Sequence, residues 1–285
     1  RHGSRATRER KGERMKPPVA ANGQPLRERM CLFGAEKVGK STIVANIALW
    51  HQKRKRESTF YVVDTDLAWS RMLSDDVFSG LTNVVYEEVY GWRELKDATN
   101  RFREKIQPGD FLVIDMLTQA WEWVQQFYLE EVYGMDADDF FLMKQKEVKA
   151  ANRKTRSGED VTTINFGEVI EWPVINKIYY PWASKIISHP GHLIACAAEK
   201  EISKQEADKK ELADFRRGGV KIAGQKMSGH LMHDIIRVQR GKTPQEPRLS
   251  TIGARPRPGG AIELKGDVVK NFSMNVLVAR GGWTL

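Results

Sequence analysis

Gly34-Ala35-Glu36-Lys37-Val38-Gly39-Lys40-Ser41 separates an apolar run, Met30–Phe33, from a helix-forming stretch, Ser41–Trp50. It fits the spacing G-x-x-x-x-G-K-[ST]. A phosphate chain needs several backbone N–H donors converging on it, and two glycines let a backbone curl that tightly. Lys40 is placed to reach β- and γ-oxygens and the Ser41 hydroxyl to ligate Mg²⁺. Thr42 opens a helix whose N-terminal dipole also favours an anion. Residues Gly34 to Thr42 therefore read as a nucleoside-triphosphate site.

Working outward, Thr59–Val63 is β-branched and aromatic and reads as a strand ending at Asp64-Thr65-Asp66, with a further strand at Asn83–Tyr86. Trp92, Leu95, Ala98, Phe102 and Ile106 mark one face of an amphipathic helix that Pro108-Gly109 stops. Phe111–Ile114 is wholly apolar and ends at Asp115. An aspartate at the C-terminal edge of a central parallel strand can hold Mg²⁺ beside the loop serine.

Residues 118–188 read as a helical insertion, with an acidic loop at Asp136–Asp139, a polar interruption at Asn152–Asp160, and Pro173 and Pro181 kinking or splitting the helix that ends near Ser188. His192–Ala198, Leu231–Gln239 and Leu249–Ile252 are expected strands, and Ser203–Met227 a mobile loop. The alternation of strands and helices predicts an α/β fold, a mostly parallel sheet covered by helices on both faces.

The chain has 285 residues, with 46 Lys and Arg against 37 Asp and Glu, a net charge of +9 that suggests a polyanionic partner. Seven of those cations lie in residues 1–16 against Glu9 and Glu13, so the body is only mildly basic. Met15 offers an alternative start that would leave residues 1–14 outside the native protein, and the tail is given no catalytic weight. No stretch reaches the ~18–20 apolar residues of a membrane span, and the start lacks the apolar core of a signal peptide. Cys31 and Cys196 lie in apolar runs and read as buried thiols of a reduced, cytoplasmic protein, in the host cytoplasm if it is viral. The pair His189 and His192 straddles a Pro-Gly turn and does not suggest zinc.

The loop and the two strand-end acids together resemble the RecA/KaiC-like ATPase class, especially small phage-encoded ATPases that assist single-strand annealing and recombination. The resemblance covers roughly residues 28–258 and implies a RecA-like core using ATP and Mg²⁺. Those proteins place a catalytic acid after the strand that follows the loop helix, as in an Asp-x-Glu ending. The matching residues here are Asp64-Thr65-Asp66, with Asp66 as the expected base, Asp64 in reserve, and a side chain one methylene short. The capping of a following helix is the competing reading of this pair. Met116 stands where many motors carry a second acid.

The class further implies a γ-phosphate sensor at Glu199 or Lys200 and a DNA-binding loop after it. Loop 203–228 holds Arg216, Arg217, Lys221 and Lys226 among glycines, which suits backbone-dominated binding of single-stranded DNA. Arg255 and Arg257 resemble the basic pair that reaches a neighbouring subunit's γ-phosphate, so a homo-oligomer is expected. The expected organisation is a basic tail (1–26), an ATPase core (27–258) and a C-terminal extension (259–285). A recombination or replication ATPase is the leading reading. A nucleotide-gated assembly protein and a DNA-translocating motor are the alternatives.

Overall fold

The computed structural model describes residues 27–54, 57–156, 171–203, 206, 209, 212–216, 218–225, 228–242, 247–254 and 265–268. Among these, the strands are β1 (Arg29–Gly34), β2 (Phe60–Asp64), β3 (Val84–Glu88), β4 (Phe111–Asp115), β5 (His192–Glu201), β6 (Val220–Ile222), β7 (Asp234–Gln239), β8 (Arg248–Ala254) and β9 (Lys265–Val268). The α-helices are α1 (Lys40–Lys53), α2 (Trp69–Leu73), α3 (Trp92–Lys105), α4 (Leu117–Tyr133), α5 (Ala137–Arg156), α6 (Trp172–Ser188) and α7 (Ala213–Arg216).

The sheet runs β3-β2-β4-β5-β1-β7-β8-β9, with β6 paired to β5 alone. From β3 to β7 every pairing is parallel, and β8, β9 and β6 add antiparallel. Strands covered on both faces can be apolar at every position. This is why Met30–Phe33 and Phe111–Ile114 are uninterrupted apolar runs and wholly buried. One core layer lies under α1 and α2, built on Met30, Leu32, Ile43, Ile47, Val62 and Trp69. The other lies under α3, α4 and α6, built on Phe33, Leu95, Phe102, Ile114, Tyr179 and Trp182. One strand, β5, separates the glycine-loop strand from the strand ending in Asp115. This is an α/β core, a mostly parallel sheet with helices on both faces.

Several boundaries differ from the sequence reading. Asp138 and Asp139 form the first turn of α5 rather than an acidic loop, and Asp136 caps that turn by accepting the Asp139 amide at 2.9 Å. Helix α5 continues into the expected interruption as far as Arg156. Pro173 sits in the first turn of α6, where its missing N–H costs no helical bond, and Pro181 lies inside the same helix. Residues Ser228–Leu231 form a 3₁₀ turn, so β7 begins only at Asp234. Strand β9 falls in the segment read as a C-terminal extension, yet it belongs to the sheet.

The segment expected to be a mobile loop is partly built. Strand β6 forms a hairpin with the end of β5, pairing Glu199 with Ile222. The Thr118 hydroxyl accepts the Ala198 amide at 2.9 Å and donates to the Ala223 carbonyl at 3.0 Å. Buried Gln225 donates to the Tyr180 hydroxyl at 2.7 Å and to Asn176 Oδ1 at 3.2 Å. Polar anchors of this kind leave no apolar periodicity, so the sequence gives little sign of them.

Candidate functional site

Because β1, β2, β4 and β5 are parallel, their C-terminal ends share one edge of the sheet. In open α/β sheets that edge is where ligands bind. Register aligns Asp64 with Asp115, Asp115 with Cys196, and Cys196 with Leu32. Asp115 and the root of the glycine loop are thus two strand spacings apart, about 10 Å. That leaves room for a group bridging them.

The loop between β1 and α1 is shaped by two different glycine requirements. A Cβ on Gly34 would lie 2.1 Å from the Val238 carbonyl oxygen of β7, so this glycine is dictated by strand packing. Gly39 has φ +93, a left-handed conformation that glycine adopts at little cost. Lys37 is also left-handed at φ 56. Ala35, Glu36 and Lys37 are exposed at the crest, Val38 and Lys40 are buried, and Ser41 and Thr42 are half-buried at the start of α1. The Lys40 ammonium donates to the carbonyls of Gly34 at 3.1 Å and Ala35 at 2.8 Å. An ammonium has three donors, so one remains for an incoming anion.

Opposite the loop, Asp115 is fully buried. Its Oδ2 accepts the indole N–H of Trp69 at 2.9 Å, and its Oδ1 is buried with no hydrogen-bond partner. The connection from β2 to α2 also holds its main chain. The Thr65 amide donates to the Asp115 carbonyl at 2.6 Å, and the Met116 amide donates to Thr65 Oγ1 at 2.6 Å. The Asp115–Met116 peptide is cis. An unpartnered buried carboxylate oxygen costs stability unless something binds it, and a hydrated cation suits an all-oxygen, negatively charged site.

The strand-end pair divides its work. Asp64 is fully buried and accepts the Trp69 amide at 2.9 Å and the Asp66 amide at 3.2 Å, which is the capping role. Burial raises its pKa, against the hydrogen bond from Trp69 and with the Asp115 charge. Asp66 is exposed. Partial desolvation and then the Asp115 charge raise its pKa, Lys40 opposes them, and Glu36 adds to the rise. Asp66 follows β2 directly, on the same edge of the sheet as Asp115 and the glycine loop.

Glu199 does not face this cluster freely. Arg237 Nε donates to its Oε2 at 2.9 Å, across the end of β1 on the face away from α1, and Arg237 Nη1 reaches the Gly218 carbonyl at 3.4 Å. Lys200 is exposed on the β5–β6 hairpin. Of Arg216, Arg217, Lys221 and Lys226 in loop 203–228, Lys221 is paired with Glu206, and the side chains of the other three lie outside the described residues. Arg255 and Arg257 also lie outside them. Sequence reasoning missed Trp69 and Arg237. Neither carries a local signal, since the partner of each lies far along the chain.

Both thiols lie under the site. Cys31 and Cys196 are fully buried, and burial pushes the Cys31 thiol up to about 12. Burial raises Cys196 as well, assisted by the Asp115 charge and by the approach of the thiol to that carboxylate, an approach that leaves Oδ1 without a hydrogen bond of normal geometry. No described helix is long and apolar enough to cross a membrane.

No family model matches the chain, and no curated protein matches it. Among solved structures, the flagellar accessory protein FlaH from Methanocaldococcus jannaschii superposes with a TM-score of 0.37 at 10% identity, covering 82% of each chain.

Proposed function

We propose that this chain binds ATP at Gly34–Thr42 and hydrolyses it with Mg²⁺. The observation that carries the reading is the buried, unpartnered Oδ1 of Asp115 on the edge shared with the glycine loop and Asp66. Backbone amides of the loop and the Lys40 ammonium take the phosphates, Lys40 exchanging carbonyl oxygens for phosphate oxygens. Ser41 and Asp115 would hold Mg²⁺, which when bound neutralises charge on the phosphate oxygens. Asp66, made more basic by its surroundings, orients and deprotonates the attacking water.

The finer reading is action on single-stranded DNA in recombination or replication, as a homo-oligomer with Arg255 reaching a neighbouring site. It rests on the +9 charge, on the basic residues of 203–228 and on the sequence resemblance. A nucleotide-gated assembly protein is the second reading, favoured by Asp66 where a longer Glu is expected and by the only mildly basic body.

Phosphate release from Mg-ATP, with and without single-stranded DNA and with Lys40→Ala, tests these readings. Turnover that rises with DNA and is lost in the variant supports the full proposal. Turnover indifferent to DNA removes the nucleic-acid step. Tight ATP binding without turnover leaves the assembly reading, and no nucleotide binding at all refutes the site.

A further inference from the structure

We infer that Trp69 is a positioning residue for the metal, holding one oxygen of Asp115 so that the other is presented to the cation's ligand shell. The inference rests on the Mg-nucleotide reading of the site. The two oxygens of Asp115 are unequal, since Oδ2 accepts the Trp69 indole N–H at 2.9 Å while the buried Oδ1 has no partner. A carboxylate can exchange its oxygens by rotating about χ2, and a directional donor fixed to one of them removes that freedom.

The choice of an indole has a chemical consequence. Lysine or arginine in this place would orient the carboxylate and also cancel its charge. The indole N–H is a neutral donor with no acceptor capacity, so it orients Asp115 and leaves its negative charge for a cation. The donor is itself fixed. Trp69 is fully buried in the layer under α1 and α2, and its amide donates to Asp64 Oδ2 at 2.9 Å. Asp64 and Asp115 are register partners on adjacent strands, so Trp69 ties together the ends of β2 and β4. Asp66 lies within the same short connection. One rigid element therefore sets both the metal-facing carboxylate and the expected base, as partners of metal ligands do elsewhere.

The test measures the Mg²⁺ concentration that half-saturates tightening of mant-ATP binding. It compares Trp69→Phe with Trp182→Phe, whose indole is equally buried but donates to Thr99 Oγ1 in the other core layer. As a version that keeps the packing, position 69 is also replaced by 3-benzothienyl-alanine, in which sulfur stands in place of the indole N–H. Both changes at position 69 are expected to raise the Mg²⁺ requirement about tenfold, with mant-ATP affinity in EDTA unchanged and the Trp182→Phe protein like wild type. The positioning role is overturned if the benzothienyl protein keeps the wild-type Mg²⁺ requirement, or if Trp182→Phe shifts it equally. Wild-type protein that fails to bind mant-ATP refutes the nucleotide reading itself, which is a separate result.

Discussion

Acidifying the protein from pH 7 to pH 5 should destabilise it through two histidines at the end of the sheet away from the glycine loop. His189 Nδ1 accepts the Gly191 amide, and His192 Nδ1 accepts the Glu28 amide, each at 3.1 Å. Protonating either ring at Nδ1 removes that acceptor and leaves a covered N–H without its partner. Burial, with the Arg103 and Arg27 charges, lowers the His189 pKa from 6.5 to about 4. Burial lowers His192 to about 4 as well, against the Glu28 charge. Between these values the unfolded chain binds the proton and the folded chain does not, so stability falls as pH falls from 6.5 toward 4. At about 1.4 kcal/mol per pH unit, each histidine removes about 2 kcal/mol by pH 5. Asp64 and Asp66, with raised pKa values, act in the opposite direction. Comparison with His189→Asn and His192→Asn isolates the histidines, since the Asn amide oxygen stands close to the Nδ1 position. Urea unfolding at the two pH values should show each Asn variant losing about 2 kcal/mol less than wild type on acidification. Equal losses in wild type and both variants would refute the argument.

Gly34→Ala should cost about 3 kcal/mol or more of stability, because the β1–β7 pairing must open to admit the methyl group; a wild-type urea midpoint would show that β7 does not approach as described. Asp66→Asn should lower turnover about 100-fold or more while leaving ATP binding intact, and Asp66→Glu should keep much of the activity; unchanged turnover in Asp66→Asn would move the base elsewhere. Arg237→Met strands the Glu199 carboxylate at a cost of about 1–3 kcal/mol. Amide exchange across Glu199–Ile222 should then quicken; an unchanged rate would mean the hairpin is held by Thr118 and Gln225 alone.

What could be read in advance divides along a physical line. The glycine loop is a local motif, and the central strands announce themselves because burial on both faces makes them apolar at every position. Asp115 follows from the same logic, as the first polar residue after such a run. Trp69 was invisible because its partner lies 46 residues away, and a tryptophan opening a short helix looks like any core aromatic. The pair Arg237 and Glu199, 38 residues apart, is hidden for the same reason. The β5–β6 hairpin was read as a loop because its residues are charged or small, and polar anchors hold it rather than an apolar face.

For chemistry on the protein, the two cysteines are a convenience. With both thiols shut in the core and Cys31 pushed up to about 12, a maleimide or disulfide reagent meets almost no thiolate in the native chain. A cysteine introduced at an exposed position could therefore carry a dye without removing the natural pair. The native thiols then serve as a clock. Labelling of Cys196, level with Asp115 and Leu32, proceeds only as fast as the layer beneath the loop opens. A ligand that closes that layer would slow the clock, reporting occupancy without any measurement of turnover.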